Sequence, residues 1–328
     1  MRNRVMATAA ACAMWLSTLP PVLTGIAGET TQTKKPPTLA SHSSPTVAAK
    51  AATSPWRRIA LVGASASAGF TVSEPFGGTD TARYRLYRYV DAALVAAHEP
   101  VTNLANTMFF LQPETVGRNQ IELALQIRPS LLVGADFLFW FCYGNGNTDQ
   151  ERLARFEQGL KLFDAIRCPI ILGDIPDCSA AVNGMLHPEQ MPSPTAIAAA
   201  NRRLKEWARS RPRVAILSIS GFMRTVLANQ ALSVHGFSLP AGETRILLQE
   251  DNLHPTPPGC AVLALALLDS FQATRPLSSA GEVRWNPKEV YRLVLKPPSA
   301  PAPFLPKVGV TNDSMRASPT SATKERNR

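Results

Sequence analysis

Ile59-Ala60-Leu61-Val62-Gly63-Ala64-Ser65-Ala66-Ser67 is the stretch that decides the fold. Four apolar residues in a row, entered from Trp56-Arg57-Arg58, read as a short strand covered on both faces. Gly63 ends it where the backbone must turn sharply, and Ala64 and Ala66 leave the Ser65 hydroxyl open to approach. Two readings of Ser65 stand. It caps the turn or helix that follows, or it is a nucleophile, which a hydroxyl becomes only when a base takes its proton.

Outward from this strand the same alternation repeats. Apolar spacing predicts helices over 81–97, 114–127, 148–166, 194–209 and 258–271. Short apolar runs predict strands at 100–104, 130–134, 169–172 and 214–219. Such alternation argues for an α/β domain, a parallel sheet with helices on both faces. Ligands in such folds bind beyond the carboxyl ends of the strands. Residues 63–65, 104–106, 134–136 and 175–177 should therefore meet on one rim.

The two ends of the chain have a different composition. Residues 1–28 read as a signal peptide: Arg2 and Arg4, an apolar run from Val5 to Leu16, then Pro20-Pro21 and Gly25-Ile26-Ala27. The expected location is secreted or periplasmic. A retained membrane anchor would need about 20 unbroken apolar residues, and the prolines interrupt it, so no stable membrane span is expected after signal removal. Residues 29–55 and 296–328 are rich in Pro, Ser, Thr and Ala and read as a disordered linker and tail. Residues 56–295 are left, a length that fits a single α/β domain. The net charge is +10, but the basic residues form no cluster with interleaved aromatics, which argues against nucleic acid as a partner. Four cysteines follow the signal segment. Cys168 and Cys178 either pair across a loop or stay separate thiols, and no spacing resembles a zinc site.

Asp251-Asn252-Leu253-His254-Pro255 supplies what Ser65 lacks. An Asp three residues before a His can set a carboxylate against an imidazole on one short loop. His254 has the side-chain type that titrates near neutrality, and Asp251 can hold its tautomer and stabilise the imidazolium. The plain alternative is a pair of residues capping the helix that begins near 257. His98, His187 and His235 lie in loops without a comparable carboxylate partner and are expected at the surface. Phe137 to Tyr143 is a dense aromatic run, either core or a wall beside Ser65. Asn145 and Asn147 sit in a Gly-flanked loop, read as a plain turn or as a source of a side-chain amide donor.

Residues 59–67 resemble the first block of the SGNH (GDSL-type) hydrolases, Gly-Asp-Ser-x-Ser, and residues 251–255 resemble the last, Asp-x-x-His-Pro. Asp174-Ile175-Pro176-Asp177 is also at home in such proteins. The resemblance covers about 57–272. It implies a flavodoxin-like three-layer α/β/α sandwich and metal-independent hydrolysis of an ester or acyl group, with no cofactor. It makes Ser65 the nucleophile, His254 the base and Asp251 its orienter. The substrate it implies is a small ester or an acylated carbohydrate or polymer.

Three positions depart from the family pattern. Ala64 replaces the Asp of the first block. The second block, Val101 to Met108, has no Gly, so Thr107 and Met108 are the candidate backbone donors to an oxyanion. In the third block Asp136 stands where an Asn amide would donate; a carboxyl there donates only when protonated, and Asn106 or Asn145 are the other candidate donors. These departures motivate a second reading, a weak or inactive member of the fold that binds a polysaccharide or envelope polymer. An α/β-hydrolase needs Gly-x-Ser-x-Gly, and position 67 is Ser.

Overall fold

A computed structural model describes residues 54–144, 146, 148–274 and 281–296, all within the unit Pro45–Arg328. The expected signal segment, most of the linker, the tail from 297 onward, Asn145 and Asn147 lie outside the described residues.

The chain begins with β1 (Ile59–Leu61), the one-turn helix α1 (Ser65–Ala68), α2 (Leu86–Ala93), β2 (Thr102–Asn103), α3 (Pro113–Ile127) and β3 (Leu131–Gly134). It continues through α4 (Phe139–Cys142), α5 (Asp149–Leu162), β4 (Ile170–Gly173), α6 (Pro194–Arg209), β5 (Val214–Leu217) and α7 (Ile219–Leu227). A hairpin of β6 (Leu232–Val234) and β7 (Phe237–Leu239), then α8 (Pro257–Thr274) and α9 (Pro287–Leu295), complete it.

The five strands β1 to β5 form one parallel sheet in the order β2-β1-β3-β4-β5. Residues of β1, β3 and β4 are buried throughout, as expected where helices cover both faces. Helices α2, α8 and α9 pack together on one side; α3, α4, α5 and α6 pack on the other. This is the three-layer α/β/α sandwich with the flavodoxin-like strand order. The order reverses between β1 and β3, so the crevice for a ligand opens beyond the carboxyl ends of those two strands.

The structure moves several predicted boundaries. The helix expected over 81–97 is a 3-10 turn, Thr81–Tyr84, then an extended Arg85, then α2. It stops at Ala93 because Leu94 bridges to Val283, while Arg284 donates to the Ala93 carbonyl at 2.7 Å. The strand expected to 219 ends at Leu217, where the Ser218 hydroxyl accepts from Gly221 N at 3.2 Å and starts α7. The aromatic run after β3 divides between the two expected roles: Phe137, Phe141 and Tyr143 are core, with Phe137 edge-on against Phe109 and Phe163, while Phe139 and Trp140 form a wall beside Ser65.

One polar contact fixes α3 to the strand that carries Ser65. Gln120 is buried, and its side chain clamps Gly63 as a neighbouring strand would. Gly63 N donates to Oε1 at 2.8 Å, and Nε2 donates to Gly63 O at 2.9 Å. Gln120→Leu keeps the bulk but leaves the Gly63 N–H unpaired in the core. It is expected to cost about 1–3 kcal/mol, read as a lower urea midpoint with an unchanged slope.

Candidate functional site

The turn after β1 is built around a carboxylate from another strand. Asp136, just past β3, accepts from Ala64 N at 3.0 Å, from Ser67 N at 3.1 Å and from the Ser67 hydroxyl at 2.5 Å. Gly63 has φ +148°, and a Cβ there would lie 2.2 Å from Asp136 Oδ1, so only glycine lets the carboxylate approach. Ser65 then opens α1. Its hydroxyl does not cap the helix: the N-cap is Ala64 and makes no side-chain bond.

The Ser65 Oγ instead lies 2.8 Å from His254 Nε2. His254 Nδ1 lies 2.7 Å from Asp251 Oδ2. The other Asp251 oxygen accepts from Leu253 N at 2.9 Å and His254 N at 3.0 Å. With Nδ1–H donating to Asp251, Nε2 is left to accept from the serine. Both members of the loop pair are buried, and the imidazole stacks on Phe70 with centroids 4.1 Å apart. Burial alone would raise the Asp251 carboxyl. The hydrogen bond and charge of His254, with the two N–H donors, outweigh it and hold the carboxyl below its ordinary range. The capping alternative for this pair does not hold, because the Thr256 hydroxyl caps α8 by accepting from Gly259 N at 3.2 Å.

Neighbours lock the loop in place. Gln249 donates from Nε2 to Phe70 O at 2.8 Å and to Pro255 O at 3.0 Å, tying the His254 loop to the chain that follows α1. Asn252 sits at φ +57°, donates to Ala180 O at 3.0 Å and accepts from Arg245. On the β4 side Asn201 clamps both backbone groups of Ile175, at 2.7 and 2.8 Å. The Tyr143 hydroxyl donates to Pro176 O at 2.7 Å and accepts from Cys178 N at 3.1 Å. Gln120, Gln249, Asn201 and Tyr143 carry no motif, and sequence reasoning missed them. The one available signal is an amide or phenol placed within or beside an otherwise apolar run.

The oxyanion candidates separate. Asp136 is an acceptor three times over, so the expectation of a donor there is corrected: the groups that face it are two N–H and one O–H. The Met108 backbone N–H donates to Asn106 Oδ1 at 2.8 Å, and the Asn106 backbone N–H donates to Gly63 O at 3.0 Å. Thr107 and Met108 line the cavity that also touches Ser65. Asn145 lies outside the described residues.

Two histidines expected without a carboxylate have one. His235 pairs with Asp269 at 2.9 Å and stacks on Trp285, and His98 lies 3.4 Å from Asp91. Both contacts join segments distant in sequence or turned back by a loop. Cys168 and Cys178 are separate thiols, both raised by burial, to about 11 and about 12. Among the described residues no three His, Cys, Asp or Glu gather as a metal site would, and no helix is long and apolar enough to cross a membrane.

Two cavities meet at Ser65 and His254, with Trp140 and Leu253 lining both. The smaller holds about 50 Å³ between Ala66, Phe139, Cys178, Ile219 and Met223. The larger holds about 450 Å³ and is walled by Phe70, Phe76, Met108, Phe110 and Met185.

No family model matches the chain, and no curated protein matches it. Solved structures do resemble it. One is a lipase/acylhydrolase from Enterococcus faecalis: 16% identity, TM-score 0.45, covering 68% of this chain and 100% of that one. Another is a GDSL-like lipase from Bacteroides thetaiotaomicron: 14% identity, TM-score 0.40, covering 69% and 94%. A third is an alpha/beta hydrolase enzyme from the Lake Arreo metagenome: 12% identity, TM-score 0.43, covering 67% and 96%.

Asp136→Asn preserves shape but turns one oxygen into an NH₂ that faces an N–H donor. A loss of about 1–3 kcal/mol is expected, measured by denaturant unfolding. Asp251 works on pH. A carboxyl held low in the folded state stabilises above its ordinary value, near 3.9, and loses that contribution as pH falls through the lower folded value. Asp251→Asn should therefore show a shallower fall in melting temperature than wild type below about pH 4.

Proposed function

We propose that this chain is a serine hydrolase of SGNH type that cleaves carboxylic esters through Ser65, His254 and Asp251. The observation that carries the reading is the unbroken line Ser65 Oγ to His254 Nε2 at 2.8 Å and His254 Nδ1 to Asp251 Oδ2 at 2.7 Å. A serine hydroxyl is inert until a positioned base accepts its proton, and here the base is already within reach.

The chemistry runs in two halves. Ser65 Oγ attacks the ester carbonyl carbon while its proton passes to His254 Nε2. Asp251 stabilises the imidazolium that forms. The imidazolium then gives its proton to the departing alcohol oxygen as the carbon–oxygen bond breaks. In the second half His254 takes a proton from water, which attacks the acyl carbon, and Ser65 leaves with that proton. The negative oxygen of each tetrahedral intermediate needs preset donors. Asp136 holds the N–H groups of Ala64 and Ser67, which leaves the Ser65 and Ala66 amides of the nucleophile turn, and the Ser65 amide, on the nucleophile's own residue, is the nearer donor. Thr107, on the wall beside Ser65, brings an amide and a hydroxyl.

The polymer-binding reading has less behind it. A wall that only binds has no use for a buried Asp–His pair aimed at a serine. An exported location belongs to the proposal as well, and is supported by the composition of residues 1–28.

The test is hydrolysis of p-nitrophenyl acetate by wild type, Ser65→Ala and His254→Ala. Each variant should lose at least about 10⁴-fold in kcat, and a fluorophosphonate should label Ser65 in the wild type alone. Equal rates in wild type and Ser65→Ala, with no label, would leave the binding reading in place.

A further inference from the structure

The two cavities that flank Ser65 are unequal, and the inequality assigns the two halves of the substrate. Resting on the esterase reading above, we infer that the enzyme removes a short acyl group, of acetyl or propionyl size, from an apolar alcohol, with the acyl group in the small cavity and the alcohol in the large one.

Size sets the first half. About 50 Å³ admits a few water-sized centres at roughly 10–15 Å³ each, the bulk of a two- or three-carbon group. Its walls cannot easily retreat. Phe139, Trp140, Pro176, Cys178 and Met223 are all buried, and none of its lining residues is exposed. Close-packed walls of this kind resist extra methylenes. The large cavity, about 450 Å³, falls within the range of small-molecule sites.

The order of events sets which half goes where. In acyl transfer the alcohol departs first, while the acyl group stays bonded to Ser65 Oγ. Water must then reach the acyl carbon on the side of His254. A long acyl chain in the large cavity would stand in the path of water and of the departing alcohol alike. The reverse arrangement has neither conflict. The large cavity reaches solvent through the exposed Val72, Phe76, Phe110 and His187, so product leaves and water enters by the same route.

Wall chemistry names the alcohol class. Phe70, Phe76, Met108, Phe110 and Met185 line the large cavity, and among the described residues no Asp, Glu, Lys or Arg does. Besides Ser65 and His254 its hydrogen-bonding side chains are Thr107, His187 and Gln190, and the rest of the wall is aliphatic, aromatic or thioether, so most of a sugar's hydroxyls would meet apolar wall, and each one left unpaired carries a desolvation cost. An alkyl or aryl alcohol has no such need, and thioether and aromatic walls suit it.

Two isomeric esters separate the assignments: octyl acetate and methyl nonanoate hold the same atoms with the carbonyl at opposite ends. With the full chain, kcat/KM should favour octyl acetate by at least about tenfold. Octyl butyrate should fall well below octyl acetate. Met223→Ala should narrow that butyrate-to-acetate gap by several-fold, and Ile219→Ala, on the less buried rim of the same cavity, serves if Met223→Ala does not fold. Phe76→Ala, at an exposed site, should lower octyl acetate turnover relative to ethyl acetate. Preference for methyl nonanoate, or equal rates, in a Ser65-dependent reaction would overturn the assignment and leave the esterase reading intact. A butyrate-to-acetate gap unmoved in a folded Met223→Ala or Ile219→Ala enzyme would also overturn it. Turnover of neither isomer above the Ser65→Ala level, together with no p-nitrophenyl acetate activity, would remove both readings.

Discussion

The carboxylate of Asp136 reaches across from β3 to the turn after β1, and the geometry of Ser65 depends on that reach. Two backbone N–H groups and a hydroxyl converge on its oxygens. They hold Ala64 and Ser67 on either side of Ser65, which leaves the nucleophile little freedom of its own. Such charge-assisted bonds are roughly twice as strong as neutral ones. The approach is possible only because position 63 has no Cβ and the backbone there takes a positive φ. Gln120 closes the other side of the same glycine. A short strand, a glycine, a buried amide and a carboxylate thus form one unit, and the Ser65 hydroxyl is its outward product.

The His254 loop meets this unit from the far end of the chain, 189 residues away. Its precision comes from saturation. Asp251 spends one oxygen on the imidazole and the other on two backbone N–H groups, so the carboxylate fixes both the ring and the loop that carries it. Gln249 then bonds the loop to Phe70 O, and Phe70 stacks on the imidazole. The base is therefore held by the same segment that follows the nucleophile. A shift of either would move both, which is how a loop-borne base keeps the ångström-scale alignment that catalysis requires.

Much of this was legible in the sequence because it is local. Apolar runs of three or four residues marked β1, β3, β4 and β5 to within a residue or two, since strands buried on both faces need no alternation. The placement of Ser65 after β1 and the Asp251–His254 spacing were readable for the same reason. What was not legible depends on contacts between distant segments. The bridge from Leu94 to Val283 that ends α2 joins residues nearly two hundred positions apart. The helix α7 follows from a Ser218 cap that a longer strand prediction ran through. In sequence Asp136 stands only as a carboxyl where the SGNH pattern would have a donating amide. Its true surroundings, Ala64 and Ser67, come from another block, and no single block reveals them.

Asp136 also connects two departures that look separate in sequence. The SGNH pattern that the sequence resembles has an acid in the first block and an amide in the third; this chain has Ala64 in the first and an acid in the third. The structure places that acid on the first block's own backbone, at the Ala64 and Ser67 amides. The carboxylate that organises this nucleophile turn comes from the segment just past β3. The exchange has an electrostatic consequence. Asp136 lines the small cavity, so a developing negative oxygen is disfavoured on that side. Within the proposed chemistry the oxyanion turns toward the Ser65 amide and the Thr107 wall, and the small cavity is left to an uncharged group, which an acetyl methyl is.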